Sequence, residues 1–194
     1  MITKTKEFWD QKYDANNTGW DLGIISPPLK NYFDQIKNKD LEILIPGAGN
    51  SWEAEYLFLN GFKNVNVIDI SSLAISNFKS RVPQFPAQQI FEQDFFEHTK
   101  KYDLIIEQTF FCAINPELRT AYSLKMHELL KPQGKLVGLL FNIPLNTDHP
   151  PFGGNKSEYL TLFSSKFDLN TIETAHNSVS PRKGNELFIN FTRK

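Results

Sequence analysis

The sequence has few of the features that define several protein classes. Cys112 is the only cysteine among 194 residues, so an intramolecular disulfide and a cysteine-based zinc site are both excluded. The longest clear apolar run, residues 136–141, has the length of a strand, whereas a membrane helix needs ~20 apolar residues. The first residues also lack the apolar run of a signal peptide. We therefore expect a cytoplasmic protein with no membrane partner.

An excess of charge of either sign is also absent. The 21 Lys and Arg residues nearly balance the 22 Asp and Glu residues, which leaves a net charge of −1. Surfaces that bind nucleic acids need clustered basic residues, so we expect no nucleic-acid partner. The length suits one domain, residues 1–194. No apolar stripe is left over for a second subunit, and we expect a monomer.

Strand-like and helix-like segments alternate after residue 40, which predicts an α/β fold with a doubly wound, mostly parallel, Rossmann-like sheet. Two amphipathic segments, residues 3–13 and 28–37, come first and predict a helical cover over residues 1–40. Strands are predicted at residues 41–46, 65–70, 88–91, 102–107, 135–141, 167–174 and 186–192. Helices are predicted at residues 51–60, 71–82, 115–131 and 159–167. Ligands of such sheets bind beyond the carboxyl ends of the strands.

The residues that follow the first two strands indicate a nucleotide-like cofactor. Gly47 and Gly49 permit a tight turn and close backbone approach, and the helix that follows presents free N–H groups. Asp69 lies at the end of the second strand, where a carboxylate accepts hydrogen bonds from a ribose diol. A dinucleotide loop has a third glycine where this chain has Trp52, which favours S-adenosylmethionine over NAD or FAD. An ordinary strand-to-helix turn is the simpler alternative.

Asp94 and Phe95 follow the third strand and are candidates for an adenine site. The Asp94 carboxylate suits the adenine amino group, and the Phe95 ring suits the face of the base. The alternative is that Asp94 only caps a turn.

The segment after the fourth strand carries the longest motif, TFFCAINPELR at residues 109–119. Together with the segments listed next, it resembles the thiopurine S-methyltransferase family, most closely its thiol and halide methyltransferase branch. The further matching segments are WDLG at residues 20–23, PGAG at 46–49, DIS at 69–71, DFF at 94–96 and HPPF at 149–152. The resemblance implies a class I methyltransferase fold of seven strands, one of them antiparallel, with S-adenosylmethionine as cofactor and S-adenosylhomocysteine as product.

The resemblance also implies the roles of individual residues. The cofactor-binding positions are Trp20, Gly47, Gly49, Asp69, Ile70, Asp94, Phe95 and Glu107, with Tyr13 as a further aromatic cover. The substrate pocket corresponds to Phe110, Phe111 and Phe152, for each of which plain core packing is the alternative. Arg119 is the expected catalytic residue. A cation in the first turn of a helix is unfavourable. An anionic acceptor or the cofactor carboxylate would explain the position of Arg119, and a salt bridge to a neighbouring acid is the alternative.

The chain departs from this branch at a few positions. Ser51 stands where relatives usually carry Gly, and Glu53 stands where they carry Asp. Ala48 replaces a common Cys. Gln108 follows the acid after the fourth strand, where relatives often have an aromatic residue or Arg, and this change bears on the acceptor pocket.

The expected function is methyl transfer to a small-molecule acceptor, a soft nucleophile such as a thiol, bisulfide, thiocyanate or halide. A soft anion needs little or no general base, which fits the lack of an evident catalytic dyad. The alternatives are an oxygen or nitrogen acceptor and a non-catalytic module that binds S-adenosylmethionine. The four histidines lack metal-ligand spacing, so no metal is expected. His149 and the pair Arg182-Lys183 are interpreted as surface residues.

Overall fold

Seven strands are present in the computed structural model, which describes residues 5–146 and 148–194. They are β1 (Glu42–Pro46), β2 (Asn64–Asp69), β3 (Ile90–Glu92), β4 (Tyr102–Gln108), β5 (Leu130–Phe141), β6 (Phe167–Thr174) and β7 (Glu186–Arg193). They form one sheet in the order β3-β2-β1-β4-β5-β7-β6. Only β7 runs antiparallel to its neighbours among these strands, which confirms the predicted fold class.

The strand order reverses between β1 and β4, which pair directly at Ile43 with Leu104. The chain leaves β1 toward one edge of the sheet and returns through β4 toward the other edge. The loops after these two strands therefore diverge and leave a crevice at their carboxyl ends, where ligands of this architecture bind.

The helices of the described residues cover both faces of the sheet. They are α1 (Lys6–Asp14), α2 (Pro27–Phe33), α3 (Trp52–Leu59), α4 (Ser72–Arg81), α5 (Arg119–Leu129) and α6 (Lys156–Phe163). Side-chain caps begin several of them: the Ser71 hydroxyl accepts the N–H of Ala74, and Asn155 accepts the N–H of Glu158. None of these helices has the length and apolar composition required to cross a membrane.

Buried side chains lie in two clusters, one on each face of the sheet. Along β1, Ile43 and Ile45 belong to the cluster beneath α2 and α3, whereas Leu44 belongs to the cluster beneath α5 and α6. This alternation explains why β1 is apolar at every position from Ile43 to Pro46: both of its faces are covered.

Two predicted boundaries differ from the structure in an informative way. The segment predicted as a helix over 115–131 begins as a short 3-10 helix, Pro116–Leu118, and its α-helix ends at Leu129. Strand β5 then starts at Leu130, which pairs with Tyr102, and it includes the Pro132-Gln133-Gly134 segment predicted as a stop. A register shift in this pairing, with Gln133 at φ of 63°, absorbs the irregular segment within the strand.

The N-terminal segment divides into two parts with different positions. Helix α1 lies against α4, where Asp10 Oδ1 accepts hydrogen bonds from the Ser71 hydroxyl at 2.6 Å and the Leu73 N–H at 3.2 Å. Helix α2 instead packs into the core through Leu29 and Phe33. Of the cover predicted for residues 1–40, residues 1–4 lie outside the described residues. Within residues 5–40, α1 and the loop after it form the cover, while α2 belongs to the core.

Truncating a fully buried ring of α6 provides a test of the packing on this face. Phe163 packs against the rings of Phe111, Tyr122 and Phe191. We expect Phe163→Ala to lower the free energy of unfolding by about 3–5 kcal/mol because it leaves a cavity. Leu160→Ala, on the exposed side of the same helix, should cost about 0.5 kcal/mol or less. Urea denaturation of both variants makes the comparison, and equal losses would contradict the packing described.

Candidate functional site

A cavity of about 580 Å³ opens at the carboxyl ends of β1, β2 and β4, beneath α1. Its volume lies in the range of small-molecule sites, which is roughly 300–1,000 Å³. Nine of the residues singled out from the sequence line it: Tyr13, Trp20, Gly47, Gly49, Asp69, Ile70, Asp94, Phe95 and Phe110. The structure therefore brings together residues that are up to 97 positions apart in the chain.

The glycine loop after β1 needs glycine for two separate reasons. Gly47 and Gly49 have φ of 57° and 54°, a left-handed conformation that other residues rarely adopt. A Cβ on Gly47 would also lie 2.1 Å from the Phe110 ring, and one on Gly49 would lie 2.8 Å from the Tyr13 hydroxyl. Ser51 adopts the same left-handed conformation at φ of 59°, so the departure at this position keeps the shape of the loop.

Asp69 connects the glycine loop to α4. Its Oδ2 accepts the N–H of Gly49 and its Oδ1 accepts the N–H of Ser71, both at 2.8 Å. Burial raises the pKa of this carboxyl, and the backbone N–H groups oppose that effect by stabilising the charged form. The backbone bonds leave further lone pairs on the two oxygens for hydroxyl donors in the cavity.

Asp94 both caps a turn and lines the cavity. Its Oδ1 accepts the N–H of Phe96 at 2.8 Å and so begins the short 3-10 helix Phe95–Glu97. The Phe95 ring packs edge-on against Phe110, with 5.1 Å between their centroids. The two interpretations of Asp94 are therefore compatible in this structure.

Aromatic rings from the N-terminal segment form one wall of the cavity. Trp20 makes edge-to-face contacts with Trp9 and Tyr13 at centroid distances of 5.6 and 5.8 Å. Aromatic faces attract cations through their quadrupole, and this wall suits a sulfonium centre. Trp9 was not among the residues identified from the sequence.

Three of the predicted site residues are packed behind the cavity wall. The Arg119 guanidinium is buried, pairs with Glu158 and donates to the carbonyl of Gly153 at 2.7 Å. Phe111, beneath this guanidinium at 4.5 Å, is a core residue. Phe152 is also buried and outside the lining. Arg119, the expected catalytic residue, therefore forms a salt bridge, and Phe111, an expected pocket residue, packs in the core. These are the simpler alternatives considered for the two residues.

Glu107 is likewise not in the cavity lining. Its carboxylate is fully buried, where Oε1 accepts the N–H groups of Phe110 and Phe111 at 2.8 and 2.9 Å, and the Tyr122 hydroxyl donates to Oε2. Desolvation raises the pKa of Glu107 from its ordinary value of 4.5 to about 7. Glu107 fixes the turn after β4 from below, and this placement does not support the expected cofactor contact.

Arg182 is a lining residue that the sequence interpretation placed on the surface. Its side chain is buried, pairs with Glu186 at 3.2 Å and donates to the backbone carbonyl of Trp20. The prediction of a solvated basic pair is therefore wrong for Arg182 and right for Lys183, which is exposed. His149 is exposed as expected, yet it also borders the cavity with Pro150 and Pro151.

The shape and chemistry of these features fit S-adenosylmethionine. The loop has no room for a Cβ at Gly47 or Gly49, so its backbone is bare beside the cavity, the buried Asp69 suits a ribose, and the aromatic wall suits a sulfonium. No group of three or more His, Cys, Asp or Glu side chains suited to a metal ion occurs in the described part of the chain.

Comparison with known proteins agrees with this geometry. The family model described as thiopurine S-methyltransferase matches residues 4–192. A probable thiol methyltransferase 2 of Arabidopsis thaliana is 32% identical, over 92% of this chain and 81% of its own length. A thiocyanate methyltransferase 1 of the same plant is 29% identical over the same shares. A thiopurine S-methyltransferase of Vibrio cholerae is 27% identical, over 81% of this chain and 80% of its own.

Solved structures share the fold. A 1,6-didemethyltoxoflavin-N1-methyltransferase of Burkholderia thailandensis, with S-adenosylhomocysteine bound, superposes with a TM-score of 0.75 at 15% identity, covering 97% of this chain and 86% of that one. A TehB-like SAM-dependent methyltransferase of Corynebacterium glutamicum gives a TM-score of 0.68 at 16% identity, covering 97% and 98%.

A methyl group added to the glycine loop should impair cofactor binding. Gly47→Ala forces Phe110 to move and places Ala at a positive φ. We expect its affinity for S-adenosylmethionine, measured by calorimetry, to fall about 10-fold or more, since a ~1.4 kcal/mol loss is tenfold. Gly61→Ala is the matched control, because Gly61 also has a positive φ, of 83°, but lies outside the cavity lining, and a Cβ there would meet no atom within 4 Å. Unchanged affinity in Gly47→Ala would contradict the close approach.

Glu107 should make stability depend on pH. Because its pKa is about 7 in the folded chain and ordinarily 4.5, the folded state binds the proton more tightly, and stability falls as the pH rises from 4.5 through 7. At ~1.4 kcal/mol per pKa unit, the loss is of the order of 3 kcal/mol.

Glu107→Gln imitates the protonated group. In urea titrations at pH 5 to 8, we expect its pH dependence to be flatter than that of the wild type. Parallel curves for the two proteins would show that Glu107 stays ionised throughout this range.

Proposed function

Since the chain belongs to the thiopurine S-methyltransferase family and is an S-adenosylmethionine-dependent methyltransferase, we propose that its acceptor is a small soft nucleophile: a thiol, bisulfide, thiocyanate or halide. The observation that carries this proposal is the cavity wall beyond the glycine loop, where apolar and aromatic side chains surround one buried guanidinium. The wall includes Phe110, Cys112, Phe141 and Arg182. Polarizable anions suit such a wall because they are weakly hydrated and still attracted by the cation.

The cofactor contacts are part of the proposal. Asp69 would accept hydrogen bonds from the ribose hydroxyls, and Asp94 from the adenine amino group, with Phe95 beside the base. Gly47 and Gly49 would let the backbone approach the cofactor, and Ile70 would pack against it. Trp20 and Tyr13 would cover the sulfonium, which their negative ring faces attract.

The chain's own contribution to the reaction is positioning and exclusion of water. When bound, S-adenosylmethionine supplies a methyl group already activated by its sulfonium. Arg182 attracts an anionic acceptor into the cavity, and the Phe110 and Phe141 rings keep water away from it. Alignment of this kind is worth roughly 7–11 kcal/mol of the barrier in well-oriented reactions.

A general base is unnecessary for an acceptor that is already an anion. This agrees with Glu107, whose carboxylate is occupied by two backbone N–H groups and Tyr122 behind the cavity wall. Burial raises the pKa of the Cys112 thiol, so this lining cysteine stays protonated and does not compete with the acceptor as a nucleophile.

The relatives support this choice of acceptor. Two of them are a probable thiol methyltransferase and a thiocyanate methyltransferase, both matched over 92% of this chain. A monomeric, cytoplasmic protein without a nucleic-acid partner remains a prediction from composition and is part of this proposal.

An acceptor screen tests the proposal. The protein is incubated with methyl-labelled S-adenosylmethionine and iodide, bisulfide, thiocyanate or an aromatic thiol, and methylated product is measured. We expect product from at least one of them. Cofactor binding without product from any soft acceptor would refute the proposed acceptor class.

Arg182 variants then test the role of the buried cation. We expect kcat/KM for anionic acceptors to fall in the order wild type, Arg182→Lys, Arg182→Met, by about 10-fold or more in the last, because bonds to charged groups are worth ~1.5–3 kcal/mol. Lys183→Met, the exposed neighbour, is the control and should behave as wild type. Because Arg182 also pairs with the buried Glu186, the thermal melting of each variant is measured to test for misfolding.

A further inference from the structure

Gln108 has a side-chain amide that no described residue satisfies. Its Oε1 atom is sealed from solvent without a hydrogen-bond partner, and no described group bonds its Nε2. The residue ends β4 and lines the cavity, as do Phe110, Cys112 and Arg182. A buried polar group without a partner destabilises a fold. An apolar residue at this position would avoid that cost.

The backbone around Gln108 is held on both sides. Gln108 pairs with Leu139 of β5, and the next turn is fastened by Glu107 through the N–H of Phe110. Thr109 has φ of 57°, and its hydroxyl donates to the Gln108 carbonyl at 2.7 Å. The amide is therefore presented from a fixed position, as a specific contact to a ligand requires.

The two ends of the amide differ in what they can reach. Oε1 is buried by surrounding protein atoms, whereas Nε2 is not. Because Gln108 lines the cavity, Nε2 is the end of the amide that a ligand there can reach. An amide nitrogen only donates hydrogen bonds. The group that complements it is therefore a hydrogen-bond acceptor, and an anion accepts most strongly.

We propose that Gln108 is an acceptor-binding residue whose amide N–H donates a hydrogen bond to an anionic methyl acceptor beside Arg182. The inference rests on the proposed function and adds to it a residue that binds the anionic acceptor. Arg182 supplies the charge that attracts the anion, and Gln108 supplies a directed contact that holds it in place. The contact is made in the ground state as well as during transfer, so its loss affects KM more than kcat.

Two substitutions at this position separate binding from folding. Gln108→Met keeps the length of the side chain and removes the donor, and Gln108→Glu keeps the shape and adds a negative charge. We expect Gln108→Met to raise the KM for iodide and thiocyanate about 10- to 100-fold, the range for a hydrogen bond to a charged group. Gln108→Glu should raise it further because like charges repel.

The affinity for S-adenosylmethionine should stay at the wild-type value in both variants. The melting temperature of Gln108→Met should be unchanged or higher, since an unpaired amide is replaced by an apolar chain. Gln84→Met, the same change at an exposed position, is the matched control. The dissociation constant of iodide from the complex with S-adenosylhomocysteine gives a second readout that does not depend on turnover.

The outcomes distinguish the two proposals. If Gln108→Met keeps the wild-type KM and the wild-type dissociation constant of iodide, the role of Gln108 is overturned while the proposed function stands. A parallel fall in melting temperature and cofactor affinity shows a structural role and also overturns it. A wild-type protein that neither binds nor methylates any soft anion overturns both.

Discussion

The cavity depends on one carboxylate. Asp69 accepts the N–H of Gly49 on one side and the N–H of Ser71 on the other, both at 2.8 Å. The Ser71 hydroxyl in turn donates to Asp10 of α1. A continuous chain of hydrogen bonds thus joins the loop after β1, the start of α4 and the helix that covers the cavity. Because these bonds are made by backbone groups and short side chains, they fix the position of α1 relative to the loop after β1.

A second buried carboxylate shapes the opposite side. Glu107 holds the N–H groups of Phe110 and Phe111 behind the wall, and it thereby turns the Phe110 ring over Gly47. The two carboxylates are both buried, and burial raises the pKa of each. They differ in location: Asp69 lines the cavity, whereas Glu107 lies behind the wall and meets only protein donors.

The site residues that could be predicted from the sequence are those at the carboxyl ends of the strands. Gly47 and Gly49 follow β1 and Asp69 ends β2. Parallel topology then requires them to meet at one edge of the sheet. Their positions follow from local patterns and need no knowledge of side-chain packing. The same argument placed Asp94 at the cavity, whereas Phe110, which also lines it, was assigned from the family resemblance.

The residues that sequence reasoning misplaced depend on information that local patterns lack. Glu107 and Gln108 are adjacent, yet side-chain alternation along a strand directs one behind the wall and the other to the cavity. Arg182 is held at the cavity by a hydrogen bond that it donates to the backbone carbonyl of Trp20, 162 positions away in the sequence. No motif marks that contact, and a basic pair in a turn usually lies in solvent.

Arg119 shows how a motif residue shapes a cavity that it does not line. Its guanidinium donates to the carbonyl of Gly153, and the N–H of the neighbouring Phe152 donates to the carbonyl of Cys112 at 2.7 Å. These two bonds fasten the segment that carries Pro150 and Pro151, which do line the cavity. The cation at the start of α5 is thus explained by the pairing with Glu158 and by the carbonyl it binds. In the proposed function, the charge that faces the acceptor would come instead from Arg182, in the turn that precedes β7.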